Sequence, residues 1–125
     1  MKRIHSGGAF EAKIGYCRAV VAGDWVHVAG TVSAPAAETG EPPTDVVAQC
    51  ESALAIIKAA LAEAGAGLGD VVRVNYYLPT AADFEACWPA LRAAFGDAPP
   101  AATMVECGLI DPKYKIEIEA TAYIG

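Results

Sequence analysis

The chain has 125 residues, of which 54% are hydrophobic and 19% are charged, and its formal net charge is −6. This length suits one compact domain, so we expect residues 1–125 to fold as a single domain. Soluble domains average roughly one quarter charged residues. Because this chain is more apolar, we expect part of its surface to be covered by other copies of itself.

Charge and hydropathy exclude several classes of partner. The nine basic residues are scattered and form no run or helical stripe. Because phosphate backbones select basic patches, we do not expect nucleic acid as a partner. The N-terminal "MKRIHSGGAF" lacks the apolar segment of a signal peptide, and no apolar run approaches membrane-spanning length. We therefore expect no membrane association and a cytoplasmic location with reduced thiols.

Four cysteines stand at positions 17, 50, 87 and 107, and no two of them form a C-x-x-C pair. This spacing argues against a zinc knuckle or a redox dithiol. Cys50 and Cys87 fall on the apolar faces of predicted helices, where we expect buried free thiols. The sequence implies no metal and no organic cofactor.

The first half of the chain predicts two strands and a helix. "CRAVVAGDWVHVAGTV" contains two strand-like runs joined by a tight turn at Gly23-Asp24. After a loop rich in proline and glycine, apolar residues recur at helical spacing. We expect Thr44 to cap this helix and Gly65 or Gly67 to end it.

The second half predicts strand, helix, strand and strand. "VVRVNYYL" (71–78) predicts a strand with one apolar face, formed by Val72, Val74, Tyr76 and Leu78. An amphipathic helix follows, with Pro89 inside it, so we expect a kink or a restart there. An apolar run and the alternating "KIEIEATAYI" (115–124) complete the order β-β-α-β-α-β-β. This order indicates an α+β fold with two helices packed on one face of a mixed sheet.

Several strings resemble the Rid family, also called YjgF/YER057c/UK114. They are "GYCRAVVAGDWVHVAGTV", "DVVAQCESALAIIKAALAEAGAGLGDVVRVNYYL", "ADFEACWPALRAAFG", "PPAATMVE" and "KIEIEATA", in the family's order and spacing. The resemblance implies a chorismate-mutase-like fold, a homotrimer whose sheets meet in a central barrel, and small-molecule clefts between subunits.

One family position is altered in a way that bears on activity. In active members, an arginine in a P-A-R-S-like string binds the substrate carboxylate, and these enzymes hydrolyse enamines and imines such as 2-aminoacrylate. Here the string reads Pro100-Ala101-Ala102-Thr103, so Ala102 stands at the position of the arginine. A guanidinium matches a carboxylate with a planar fork of donors, whereas alanine has no donor. This divergence argues against the usual 2-aminoacrylate deaminase activity.

Three positions carry the strongest site predictions by resemblance. Tyr16 matches a cleft tyrosine, and Glu117 matches the cleft glutamate that is thought to position the attacking water. Arg18 stands where the family usually has glutamine, two residues after Tyr16 and so on the same face of an extended segment. Arg18 is therefore a candidate to replace the missing anion anchor, with a surface or interface ion pair as the alternative. For Glu117 the alternative is the polar face of a strand, a role that we favour for Glu119.

The remaining candidates have weaker support. Trp88 is a candidate to close one side of a pocket, although its helical spacing favours core packing. Thr103 has a hydroxyl beside the lost arginine and is a candidate for weak ligand contact. Cys107 lies close to the family cleft, and the simpler interpretation is an inert, buried thiol.

We therefore hypothesise a Rid-like protein that binds a small carboxylated or carbonyl-bearing metabolite between subunits. If it is an enzyme, we expect hydrolysis of an enamine or imine, with Arg18 holding the anion and Glu117 orienting water. The alternative is a non-catalytic ligand-binding or interaction module. RNA cleavage, a label that some family members carry, is disfavoured by the acidic charge.

Overall fold

A computed structural model of the chain describes residues 1–125 and contains six strands and three α-helices. The strands are β1 (Lys2–Ile4), β2 (Ala19–Ala22), β3 (Trp25–Thr31), β4 (Val71–Leu78), β5 (Ala101–Glu106) and β6 (Glu117–Tyr123). The helices are α1 (Ala9–Ile14), α2 (Val46–Glu63) and α3 (Phe84–Phe95). No helix has the length and apolarity needed to cross a membrane.

All six strands form one sheet in the order β1-β2-β3-β6-β4-β5. Only β4 and β5 run parallel, and the other neighbours are antiparallel. The predicted mixed sheet is therefore confirmed. β5 forms one edge of the sheet, with β4 as its single neighbour.

The core lies between the sheet and helices α2 and α3. Its fully buried residues include Val26, Ile57, Leu61, Val74 and Ile118. The N-cap of α2 is Asp45, whose carboxylate accepts a hydrogen bond from the Ala48 N–H at 3.0 Å, so the prediction of Thr44 was wrong by one residue. The predicted helix end is confirmed, since Gly65 adopts φ +80° just beyond it.

Helix α3 and strand β4 each depart from the sequence-based expectation. α3 runs without interruption from Phe84 to Phe95, so of the kink or restart expected at Pro89, the restart was wrong. In β4, the pairing with β6 shifts register between Val71 and Arg73, which buries Val71 and leaves Val72 43% exposed. Because of this shift, the alternation of inward and outward side chains is offset before Arg73. Of the predicted apolar face, only Val74, Tyr76 and Leu78 are buried.

The sequence interpretation missed β1 and α1, which are too short to show a periodicity. The buried side chain of Glu11 connects them. Its carboxylate accepts hydrogen bonds from the Ser6 N–H at 3.2 Å and from the Ser6 hydroxyl, and lies 3.7 Å from His5 Nδ1. Helix α1 ends at Gly15, whose φ of 94° turns the chain toward Tyr16. This N-terminal unit therefore positions the Tyr16 region.

Candidate functional site

Glu117 stands at the start of β6, on the face of the sheet opposite the helices. Its neighbours Ile116 and Ile118 are fully buried in the core, while Glu117 itself is half-buried. The carboxylate lies against Gly30 of β3, where the Cβ of any larger residue would collide with Glu117 Oε2. The pairing of β3 with β6 is irregular just there, between Val28 and Thr31. Gly30 therefore leaves the space that the carboxylate occupies.

The environment of Glu117 favours its protonated form. Burial raises the pKa of Glu117, the nearby charge of Glu119 raises it further, and Arg18 opposes both effects. A raised pKa makes the carboxylate a better proton acceptor, which suits it to general acid–base catalysis.

Glu119 has a different environment, although it lies two residues further along the same face. Its Oε1 accepts hydrogen bonds from Asn75 Nδ2 at 3.0 Å and from the Tyr77 hydroxyl. The hydrogen bond to Glu119 raises the pKa of Tyr77, with burial contributing as well. Two neighbouring side chains thus hold Glu119 in place, which supports a structural role for it.

Arg18 lies in the segment before β2 and is held there through its backbone. Its N–H donates to the Ile4 carbonyl at 2.8 Å, and its carbonyl accepts from the Ala29 N–H at 2.9 Å. The Nη2 group donates to the Gly30 carbonyl at 2.8 Å, whereas Nε is buried without a hydrogen-bond partner. The guanidinium forms no salt bridge within the chain. Arg18 is therefore a partly buried cation with donor capacity left over.

Tyr16 lies beside Arg18, with 5.9 Å between its ring centroid and Arg18 Cζ. The ring is 41% exposed and lines a cavity of about 590 Å³, which His5, Cys17 and His27 also line. Glu11 borders the same cavity, and its hydrogen bond from the Ser6 hydroxyl holds the pKa of that carboxyl below its usual value. The structure thus brings Tyr16 and Arg18 together, although only Tyr16 lines this cavity.

Ala102 lies on the opposite face of the sheet from Glu117. In the parallel pairing of β4 and β5, Ala102 stands opposite Val74 and Met104 opposite Tyr76, and both β4 residues are buried under the helices. A groove of about 360 Å³ runs between β5 and α3 at this point. Trp88 lines it and is 47% exposed, so its side chain is a wall of the groove more than a part of the core. We call this feature the α3–β5 groove; it is lined by Tyr76, Phe84, Trp88, Leu91, Arg92, Phe95, Gly96, Pro99, Pro100, Ala102 and Met104.

Thr103 and Cys107 lie on the far side of β4 from Glu117. Thr103 is exposed, stands opposite Asn75 in the pairing of β4 and β5, and accepts a hydrogen bond from Arg73 Nη2. Cys107 follows β5, where its N–H donates to the Leu78 carbonyl at 3.0 Å; its side chain is half-buried and lies near Tyr77, which donates to Glu119.

Within one chain, Arg18 and Glu117 therefore both lie against Gly30. Tyr16 lies beside Arg18, whereas Trp88 is on the other face of the sheet.

Gly30 is the site residue that the sequence interpretation missed. A signal was present, because a glycine inside the strand-like "VAGTV" indicates a bulge or a close approach by another group. The sequence could not show that the approaching group is the carboxylate of Glu117, which is 87 positions away in the chain (117 − 30).

The other two cysteines lie in the core. Cys50 and Cys87 are buried free thiols, as predicted, and burial raises the pKa of Cys50 to about 12. Such thiols are inert at neutral pH. No group of three or more His, Cys, Asp or Glu side chains is placed to hold a metal ion.

Comparisons with known proteins agree with this architecture. The family model described as Endoribonuclease L-PSP matches residues 7–124. A crystal structure of a Mycobacterium tuberculosis member of the YjgF/YER057c/UK114 family is similar, with a TM-score of 0.89, 39% identity and 98% of each chain covered. A RutC family protein of Pyrococcus abyssi is 38% identical over 86% of this chain and 85% of its own. The 2-iminobutanoate/2-iminopropanoate deaminase of Escherichia coli K12 is 33% identical over 86% of this chain and 85% of its own.

The chain therefore belongs to the YjgF/YER057c/UK114 family, also described as the endoribonuclease L-PSP family. This confirms the resemblance found in the sequence and the YjgF-like α+β fold.

Proposed function

We propose that this protein binds a small imino or enamino acid and hydrolyses it to the keto acid and ammonia. The observation that carries the proposal is the neighbourhood of Glu117. A half-buried carboxyl group with a raised pKa lies against Gly30, and the same glycine accepts a hydrogen bond from the unpaired cation Arg18. A relative that is 33% identical is a 2-iminobutanoate/2-iminopropanoate deaminase, which supports the same class of substrate.

The two side chains divide the chemistry between them. Arg18 binds the substrate carboxylate through the guanidinium N–H donors that remain beside the one Nη2 gives to the Gly30 carbonyl. With the substrate as its protonated iminium, the Glu117 carboxylate accepts a proton from water as the water oxygen adds to the carbon of the C=N bond, and the nitrogen becomes a neutral amine. The protonated Glu117 then gives this proton to the amine. As the C–N bond breaks, the Glu117 carboxylate takes the proton of the new hydroxyl, the carbonyl forms and ammonia leaves; transfer of that proton to ammonia gives ammonium and restores the carboxylate. The raised pKa of Glu117 suits both directions of transfer.

We further propose that the site is completed in a homotrimer through the sheet face opposite the helices. This face carries apolar surface that its own chain does not cover, including Trp25 and Tyr123, which are 44% and 42% exposed with ring centroids 4.8 Å apart. Sedimentation equilibrium should give three times the 12.9 kDa of one chain. A monomeric mass at micromolar concentration would contradict the trimer.

The test of the activity is direct. The protein is incubated with enzymatically generated 2-aminoacrylate, which tautomerises to 2-iminopropanoate, and pyruvate is followed against the uncatalysed rate. Although Ala102 removes the usual anion anchor, we expect acceleration because Arg18 supplies an anchor in its place. We expect Glu117→Gln to reduce the rate by about 10²–10⁴-fold, because the proton acceptor is lost. Lys58→Gln, which removes a charge at an exposed position of α2, is the control and should retain the wild-type rate.

Two results would overturn the proposal. A wild-type rate equal to the uncatalysed one would remove the reaction and leave the non-catalytic binding module, which the alanine at position 102 favours. Acceleration that survives Glu117→Gln unchanged would place the chemistry elsewhere.

A further inference from the structure

Gln49 is a fully buried polar residue that joins helix α2 to two other segments of the chain. Its Nε2 group donates to the Pro43 carbonyl at 2.7 Å and to the Lys113 carbonyl at 3.1 Å. Its Oε1 accepts a hydrogen bond from the Lys115 N–H at 2.8 Å. Both ends of the buried amide therefore have partners, and all of these partners are backbone groups.

The partners of Gln49 explain why an amide stands at this position. Two carbonyls need N–H donors, and one N–H needs an acceptor. Glutamine supplies both, whereas an ionised glutamate has no donor and methionine has neither a donor nor a strong acceptor. Loss of the amide would leave buried backbone groups unpaired, which is more costly than loss of an exposed hydrogen bond.

The segment between β5 and β6 depends on Gln49. Residues 108–116 belong to no helix or strand. Their only backbone hydrogen bonds to the rest of the chain are the two that Gln49 makes, through the Lys113 carbonyl and the Lys115 N–H. Lys113 adds an exposed salt bridge to Glu41 at 3.3 Å, a kind of contact that contributes little in water. Gln49 therefore holds the backbone just before β6.

This segment leads directly to Glu117. Lys115 stands two residues before Glu117, which is the first residue of β6, and the Ile116 side chain between them is fully buried. The Glu117 carboxylate lies against Gly30, and the charges that act on it are those of Glu119 and Arg18. A shift of the Lys115 backbone would therefore reach Glu117 across a single residue.

We propose that Gln49 is a positioning residue for Glu117. By binding the backbone of Lys113 and Lys115, it fixes the start of β6 and keeps the Glu117 carboxylate against Gly30. Gln49 acts through the backbone and is not itself a catalytic residue. Its effect on turnover rests on the hydrolysis proposed above, whereas its effect on the position of the carboxylate does not.

The test is Gln49→Met, which keeps the length of the side chain and removes all three hydrogen bonds. Carbon NMR of the Glu117 carboxyl measures its pKa in the wild type and in the variant. Because burial raises the pKa of Glu117, a carboxyl that leaves its place should titrate closer to its ordinary value of 4.5.

Kinetics with 2-iminopropanoate provide a second measurement. We expect kcat to fall by about tenfold to 100-fold in Gln49→Met, since a displacement of about 1 Å can cost about 10²-fold in rate. KM should stay within about twofold, because Gln49 makes no hydrogen bond to Arg18.

Two further variants separate positioning from a general loss of stability. Leu61→Ala is the control, because Leu61 is fully buried on the same helix, 12 residues further along (61 − 49). It should lower the Tm by leaving a cavity, yet leave the pKa of Glu117 and kcat unchanged. Gln49→Asn is one methylene too short to reach the three partners, so it should act like Gln49→Met, and it serves if the methionine variant does not fold.

The NMR result stands apart from turnover. A folded Gln49 variant with the wild-type pKa at Glu117 would overturn the proposal, whether or not the wild type hydrolyses 2-iminopropanoate. An unchanged kcat in a folded Gln49 variant of an active protein would also overturn it. So would failure of both variants to fold, or an equal pKa change in Leu61→Ala, since Gln49 would then support the domain as a whole. An inactive wild type with a shifted pKa in Gln49→Met would remove the hydrolysis and support the positioning.

Discussion

The Glu117 region and the α3–β5 groove differ in how their side chains are held. Around Glu117, polar groups are fixed by bonds within the chain: Arg18 donates to the Gly30 carbonyl, and Asn75 and Tyr77 donate to Glu119. In the groove, Arg92 and Trp88 have no such partners. The difference indicates that the polar groups of the Glu117 region are held in fixed positions, whereas the large side chains of the groove are not held by partners within the chain.

The largest effect is expected from Gly30→Ala. The new Cβ would lie too close to Glu117 Oε2 for both to keep their positions, so the carboxylate must move. A displacement of about 1 Å at a catalytic group can cost about 10²-fold in rate. We therefore expect turnover to fall by about 100-fold.

Gly69→Ala is the matched control for that change, because a Cβ at Gly69 meets no atom within 4 Å. It should retain full turnover. If Gly30→Ala also retained full turnover, the position of the Glu117 carboxylate would not matter for the reaction.

Tyr77→Phe tests whether the hydrogen bonds to Glu119 contribute to stability. The change removes one donor to Glu119 and leaves the ring in place, and a hydrogen bond of this kind contributes about 1 kcal/mol. We expect the free energy of unfolding in urea to fall by about that amount. Tyr123→Phe, whose hydroxyl makes no hydrogen bond in the chain, should leave stability unchanged. Equal values for both variants would show that the Glu119 network contributes nothing.

The smallest expected effect is the pH dependence of stability at Glu117. Because burial raises the pKa of Glu117 above its ordinary value of 4.5, the folded chain binds this proton more tightly than the unfolded chain. Stability from this group is therefore complete below 4.5 and is lost as the pH rises through the folded pKa.

The side chain in Glu117→Gln is neutral at every pH, so this variant should not lose stability as the pH rises. We expect its Tm to exceed the wild-type Tm at pH 7 by a few degrees at most, given that about 1 kcal/mol shifts a domain of this size by roughly 4 °C. The advantage should vanish near pH 4. A lower Tm for Glu117→Gln at pH 7 would show that its attraction to Arg18 outweighs its burial.

The regular parts of the fold could be predicted because their patterns are local. The alternation from Lys115 to Ile124 identified β6 and its buried face, and helical spacing identified α2 and α3. The prediction that Val72 faces the core was wrong, because a register shift offsets the alternation of inward and outward side chains there, and no sequence feature signals the shift. It also failed at β1 and α1, which are held by the tertiary contacts of Glu11.

The candidate site was predictable only in part for the same reason. Tyr16 and Arg18 are two residues apart, so their proximity follows from an extended segment. Glu117 and Gly30 meet although their strands are distant in the sequence. Arg92 and Ala102 line the same groove only because α3 packs beside β5. Neither relation can be read from local spacing. The exposure of Trp88 likewise depends on how far β5 extends under α3.

The most direct test of the proposed site compares the two arginines as binding partners for the carboxylate of a small imino acid. Steady-state kinetics with 2-iminopropanoate are measured side by side for Arg18→Gln and Arg92→Gln. We expect Arg18→Gln to raise KM by about tenfold or more through loss of charge-assisted hydrogen bonds. We expect Arg92→Gln to leave KM within about twofold, because Arg92 lies in the α3–β5 groove and not beside Glu117. The reverse result, with KM raised only in Arg92→Gln, would contradict the assignment of Arg18 as the anchor beside Glu117.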